Sequence, residues 1–312
     1  MRCVDHLVNF VGYEGVYKKR TNDKVDGCAT FYKREKFVCE KVVPVEYYRP
    51  DIGLLDRDNI GLVVLLRSRN ASLFKGKLCL ANTHLLYNPR RGDIKLAQLM
   101  LLLAKIDEVA QVSMAPSPNY HPIILCGDLN LEPHSDLYLF LCRGEMQYEG
   151  LMQHVLSGQT SESNGRNFFM QRDFLGSQQV VTPECQSVEV LRRRNGRNPT
   201  SEFYGRLSHH LNLISAYPYF SQRPPGRGAK EATTSHGGEP IAVDYILYSV
   251  EQKTCSFLNG RLQTSYVQEG SLSLVKILEL LTVDEVRQLG GLPTRNTASD
   301  HIILLVEFCL HK

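Results

Sequence analysis

The sequence predicts an α/β domain of packed sheets flanked by helices. Three observations carry that class. Short apolar runs rich in β-branched and aromatic residues recur along the chain. Most of them carry apolar residues on both faces, as strands in sheets packed on both sides do. One long helical stretch with a broad apolar arc lies between two of these runs. With 312 residues, 43% of them hydrophobic, the chain is long enough to build a sizeable core.

The predicted strands, in order, are Gly27 to Tyr32, Ile60 to Leu66, Leu78 to Thr83, Ile123 to Cys126, Val243 to Val250 and Ile302 to Phe308. The clearest helix runs from Ile94 to Val109, with Asp93 placed to cap it and Pro116 and Pro118 beyond its end. A second helix covers Val283 to Leu289 after Thr282, and Leu272 to Leu281 reads equally as strand or helix. Residues 157–204 are rich in Ser, Gly, Asn, Gln and Arg, and read as a polar, poorly ordered insertion in a single domain spanning 1–312.

Composition excludes several classes. No run of eighteen apolar residues exists, so no spanning helix is expected, and Met1 to Phe10 lacks the apolar stretch of a signal peptide. A net charge of +3 makes the molecule no general polyanion binder, so attraction to nucleic acid must come from local clusters. Nine scattered cysteines, several in strand-like runs, suit reduced buried thiols of the cytosol or nucleus.

Four short segments could carry chemistry. Asp128 and Asn130 follow the turn at Gly127, where a strand ends. In an extended chain residues two apart point the same way, so both oxygens could meet a hard cation and a phosphate. A plain Asp/Asn turn reads equally well there. Asp300 and His301 stand side by side where a loop enters a buried strand. Asp244 lies inside a strand-like run and needs a partner, for which His301 is the candidate; a solvated edge strand is the competing reading. His84 closes the strand Leu78 to Thr83, ahead of a loop with Tyr87, Pro89, Arg90 and Arg91 that could stack a base and grip a phosphate.

Taken in order, strand–Asn-Thr-His, strand–Gly-Asp-x-Asn, strand–Asp-Tyr-Ile and Ser-Asp-His–strand resemble the exonuclease–endonuclease–phosphatase superfamily over most of the chain. Asp26-Gly27-Cys28-Ala29 and Arg57-Asp58-Asn59-Ile60-Gly61 are similar to its branch of carbon-catabolite-repressor deadenylases and nocturnin. The segments Ala81 to Asp93, Tyr148-Glu149-Gly150-Leu151, Ser157-Gly158-Gln159 and Gly291-Leu292-Pro293 resemble the Angel proteins within that branch.

The resemblance implies a four-layer α/β sandwich with two central sheets and an active site at one end of them. It implies Mg²⁺ or Mn²⁺ as cofactor. Asp128, Asn130, Asp300 and His301 would form the metal and phosphate site, with Asp244 holding His301 and His84 stabilising charge on phosphate oxygens. Asn59, Tyr87, Pro89, Arg90 and Arg91 would line the substrate wall. It implies RNA as partner and hydrolysis at RNA 3′ ends, either removal of 2′,3′-cyclic phosphates or 3′-to-5′ exonucleolysis, in a cytoplasmic or nuclear protein. A poly(A)-shortening deadenylase and a non-catalytic RNA- or protein-binding module, the latter using the basic run Arg192 to Arg197, are the alternatives.

The same resemblance implies two earlier elements, a strand carrying an Asn and a strand ending in Leu-Gln-Glu whose glutamate binds metal. Neither is found, and Glu14 falls after the place of that ligand. The chain is therefore expected to be an N-terminally incomplete domain with little or no activity, because Mg²⁺ tolerates a lost carboxylate badly, and with an unpaired sheet edge.

Overall fold

The fold is taken from a computed structural model that describes residues 12–72, 74–113, 118–160, 168–171, 205–217, 230–235, 238–258 and 261–311. Its strands are β1 (Tyr13–Lys19), β2 (Gly27–Lys33), β3 (Phe37–Glu46), β4 (Ile60–Ser68), β5 (Lys77–His84), β6 (Gln111–Ser113), β7 (Asn119–Tyr120) and β8 (Ile123–Asp128). They continue with β9 (Glu145–Gln147), β10 (Arg206–Ser208), β11 (Leu213–Ser215), β12 (Asp244–Ser249), β13 (Gln252–Leu258), β14 (Arg261–Gln268), β15 (Leu272–Ile277) and β16 (Val306–Leu310). The helices are α1 (Gly92–Ala110), α2 (Asp136–Arg143) and α3 (Val283–Gln288).

Six strands form the central sheet in the order β11-β12-β8-β5-β4-β3. Its one parallel pair is β5 with β8, and α1 makes the crossover between them. Of the residues in α1, only Lys105 and Glu108 are not buried, which is why the sequence shows apolar residues around almost the whole helix. α1 packs on the face of the sheet that carries Val63, Leu65, Cys79, Ala81 and Leu125. The opposite face carries Ile60, Leu62, Val64 and Leu66, which pack with Cys28 and Tyr32 of the β1–β2 hairpin. There Asn82 Nδ2 donates to Ala29 O at 2.9 Å. Further along, Tyr248 and Phe308 stack with ring centroids 5.1 Å apart, seating the β15–β16 pair on this same face.

Several expectations change. Asp93 does not cap α1: the helix starts one residue earlier, and the Asp93 carboxylate takes the Arg91 guanidinium at 2.9 Å. Ile302 to Leu305 is not strand; pairing with β15 begins at Val306. The ambiguous stretch after Leu272 resolves as β15, and Thr282 caps α3 in a reciprocal box with Glu285. Among the described residues the second layer consists of two-stranded pairs rather than a continuous second sheet. The start of the expected insertion is packed, with Ser157 fully buried, and Met170 is 1% exposed. Residues 161–167 and 172–204, with the basic run at 192–197, lie outside the described residues.

Candidate active site

Sheet register assembles the site. Ile60, His84, Asp128 and Asp244 are successive Cα partners across β4, β5, β8 and β12. Directly paired residues project from the same face, so His84, Asp128 and Asp244 stand in one row. Gly127 makes this possible. Its φ is +140°, and a Cβ there would lie 1.9 Å from Thr83 O of the neighbouring strand.

Asn130 reaches the site differently from expectation. The chain is not extended there: Asn130 is left-handed at φ 49°, and its N–H donates to Asp128 Oδ1 at 2.9 Å. Its side-chain Nδ2 donates to Leu85 O at 3.2 Å. The turn thereby ties the ends of β5 and β8 together. His301 is brought in by the loop before β16, whose Ile302 N–H donates to Thr233 O at 2.7 Å. His301 Nδ1 then meets Asp244 Oδ2 at 2.8 Å, the pairing expected from the buried acid.

Asp128 Oδ2 is the focus. His84 Nε2 is 3.5 Å from it and His301 Nε2 is 3.9 Å away. Burial, with Asp244 beside it, pushes the Asp128 carboxyl up to about 7. The Asp244 hydrogen bond raises His301 to about 9. His84 is drawn below the usual histidine range by partial burial and by the Arg20 guanidinium. Ligand atoms of Asp128, Asp244 and His301 lie within 4.8 Å of one another, a group that could hold a metal ion. Two carboxylate oxygens and an imidazole suit a hard or borderline divalent cation.

A cleft of about 610 Å³ opens over this group. His84, Tyr87, Pro89, Asp128, Asn130, Asp300 and His301 all line it, as the sequence suggested. The Asp300 carboxylate is outside the three-residue metal group; its backbone carbonyl accepts from Thr234 Oγ1 at 2.9 Å. Asn59 is not on the wall. It is 5% exposed, its Nδ2 donates to His84 O at 3.1 Å, and its Oδ1 accepts from Gln98 Nε2 at 3.3 Å. Arg90 and Arg91 do not line the cleft either, and Arg91 is held by Asp93.

Sequence reasoning missed Lys95 and Gln98, both fully buried on α1. Lys95 Nζ donates to Asn130 O at 2.6 Å, and Gln98 Oε1 accepts from Leu86 N at 3.0 Å. Two polar residues three apart within the apolar stretch Ile94 to Ala104 were the available signal. Gln159, Glu239 and Ile241, also on the cleft wall, were missed as well. Burial lowers Lys95 to about 7, with Asp128 and Asp93 opposing that fall.

This arrangement agrees with what the chain resembles. The model of the endonuclease/exonuclease/phosphatase family matches residues 3–301. The chain belongs to that family. It is 40% identical over 315 residues to protein angel homolog 2 of Bos taurus, covering 96% of this chain and 56% of that protein. It is 35% identical to protein angel homolog 1 of Homo sapiens, over 96% of this chain and 52% of that one. The chain thus spans about half the length of the curated relatives it matches. The crystal structure of ANGEL2, a 2′,3′-cyclic phosphatase, in complex with adenosine-2′,3′-vanadate superposes with a TM-score of 0.76 at 37% identity, over 98% of this chain and 79% of that one. The human nocturnin catalytic domain shares the family fold, with a TM-score of 0.51 at 19% identity over 98% and 78% of the two chains. Members of the family depend on divalent metal, and the Asp128–Asp244–His301 group fits such an ion. Among the described residues no helix is long and apolar enough to cross a membrane.

Proposed function

We propose that this domain is a metal-dependent phosphodiester hydrolase that removes 2′,3′-cyclic phosphates from RNA 3′ ends, the ring opening first. The single observation behind this reading is the row His84–Asp128–Asp244, with His301 closing it, at the floor of a cleft walled by Tyr87 and Pro89. The likeness to ANGEL2 with its adenosine-2′,3′-vanadate supports the substrate class.

The Asp128 and Asp244 carboxylates would hold Mg²⁺ or Mn²⁺, with the His301 ring beside them, and when bound the ion supplies Lewis-acid neutralisation of phosphate charge. Phosphoryl transfer otherwise asks the protein for position and charge. Asp128 accepts a proton from the attacking water at Oδ2. As the water oxygen bonds to phosphorus, the bond to one ribose oxygen breaks, and His301, kept protonated by Asp244, gives its Nε2 proton to that leaving oxygen. His84 faces the same point from the other side and donates to a second oxygen as charge grows there. Asn130 fixes the Asp128 carboxylate through its backbone N–H. The exposed Tyr87 ring offers a surface on which a terminal base stacks.

RNA ending in a 2′,3′-cyclic phosphate, incubated with enzyme in excess, tests the reading. Loss of the cyclic phosphate at constant chain length supports it. Release of mononucleotides points to 3′-to-5′ exonucleolysis or poly(A) shortening instead. Salt-sensitive RNA binding without any reaction points to a binding module.

A further inference from the structure

Gln159 sits on the cleft wall with its amide orientation already decided. Its Oε1 accepts from the ammonium of Lys95, and from Ser157 Oγ at 3.4 Å. The single Ser157 hydroxyl proton can go instead to Pro89 O, the nearer acceptor at 3.2 Å, which ties Ser157 to the wall at Pro89 and leaves Lys95 as the donor that orients Gln159. Lys95 is fully buried and spends a second bond on Asn130 O at 2.6 Å. A lysine nitrogen donates in either protonation state, so it holds the acceptor end of the amide under both. The Gln159 amide nitrogen makes no hydrogen bond among the described residues, and the residue is only partly buried. Both its N–H groups are therefore available to the cleft.

We propose that Gln159 is a substrate-contacting specificity residue. Its N–H groups donate to a neutral acceptor, a ribose oxygen or a base nitrogen or carbonyl, on the nucleoside beside the scissile phosphate. Lys95 is the positioning residue that turns the amide so that donors face the cleft. The assignment rests on a nucleotide occupying this cleft. The phosphate end is served by His84, His301 and Asp128, whereas Gln159 lines the same cleft as Tyr87 and Pro89, the wall proposed for the nucleoside. A site that donates to a substrate acceptor discriminates against analogues lacking it, because its polar groups are then left unpaired.

The variant Gln159→Glu keeps the acceptor for Lys95 and removes both donors. Calorimetric titration of the purified chain with adenosine 3′-monophosphate, D-ribose 5-phosphate and inorganic phosphate, all with Mg²⁺, reads the effect. The expected result is about fivefold weaker nucleotide binding, the loss of one or two ordinary hydrogen bonds, with inorganic phosphate unchanged. Gln159→Met, which adds no charge, shows the same loss. If ribose 5-phosphate weakens equally the acceptor is on the sugar, and if it does not the acceptor is on the base. Lys95→Met also weakens the nucleotide, and combining it with Gln159→Glu adds nothing further. Unchanged nucleotide affinity in both Gln159 variants, an equal loss for inorganic phosphate, or no nucleotide binding by the unaltered chain overturns the assignment. Should Lys95→Met fail to fold, the Gln159 variants still decide the contact. Intact binding without hydrolysis would sink the hydrolase reading and leave the Gln159 contact standing.

Discussion

His301 Nδ1 lies 2.8 Å from Asp244 Oδ2, and that bond sets both the tautomer and the charge of the ring that faces Asp128. With Nδ1 committed, only Nε2 can act on substrate. Asp244→Asn keeps the shape and removes the charge. The expected outcome is a 10- to 100-fold fall in kcat with little change in melting temperature, measured on a cyclic-phosphate substrate.

Asp128 carries the pH dependence of metal binding. In the metal-free protein its carboxyl is raised to about 7, so below that pH a cation must displace a proton. Apparent Mn²⁺ affinity should rise about tenfold per pH unit up to pH 7 and then level off. Asp128→Asn should weaken binding and abolish this slope. Calorimetric titration at stepped pH values reads both.

Far from the cleft, His209 sets acid stability. Its Nε2 lies 3.0 Å from Phe140 O and its Nδ1 accepts from Leu211 N at 3.4 Å, a pattern that fits only the neutral ring. Burial lowers it to about 4 from an ordinary 6.5. Between those values the unfolded chain binds a proton that the folded chain refuses, so stability falls as pH falls. The loss amounts to about 3 kcal/mol across the window. Urea midpoints between pH 7 and 4 measure it, and His209→Gln should flatten that part of the curve.

Gly127→Ala tests the register that builds the site. The added Cβ meets Thr83 O at 1.9 Å, and φ +140° is strained for any L side chain. Strain and overpacking together cost on the order of 3 kcal/mol or more. Thermal melting should show a large destabilisation, with metal affinity lost in whatever fraction remains folded.

What the sequence revealed follows from which signals are local. β4, β5 and β8 were legible because apolar residues fill both of their faces, and α1 because apolar residues surround most of it. The β13–β14 hairpin was not, because polar and apolar residues mix on an exposed ribbon, with Phe257 and Tyr266 half exposed. His84, Asp128, Asp244 and His301 were found because acids and histidines at strand ends break an apolar pattern. Their alignment in one row was not legible, since it depends on register between strands far apart in sequence. Asn59 was misplaced for a related reason: its motif marks it as important, but only the structure shows it supporting the His84 carbonyl from within the core. Lys95 was overlooked because a lysine on a helix ordinarily carries its ammonium out to solvent.

The central claim is that one metal-assisted centre at Asp128 opens cyclic phosphates. Single-turnover reaction of the purified chain with a labelled RNA ending in a 2′,3′-cyclic phosphate, with and without Mg²⁺ or Mn²⁺, tests it most directly. Metal-dependent loss of the cyclic phosphate with no shortening of the RNA, abolished by Asp128→Ala, is the expected result. A cyclic phosphate that persists at every enzyme and metal concentration, or a reaction that survives Asp128→Ala, would contradict it.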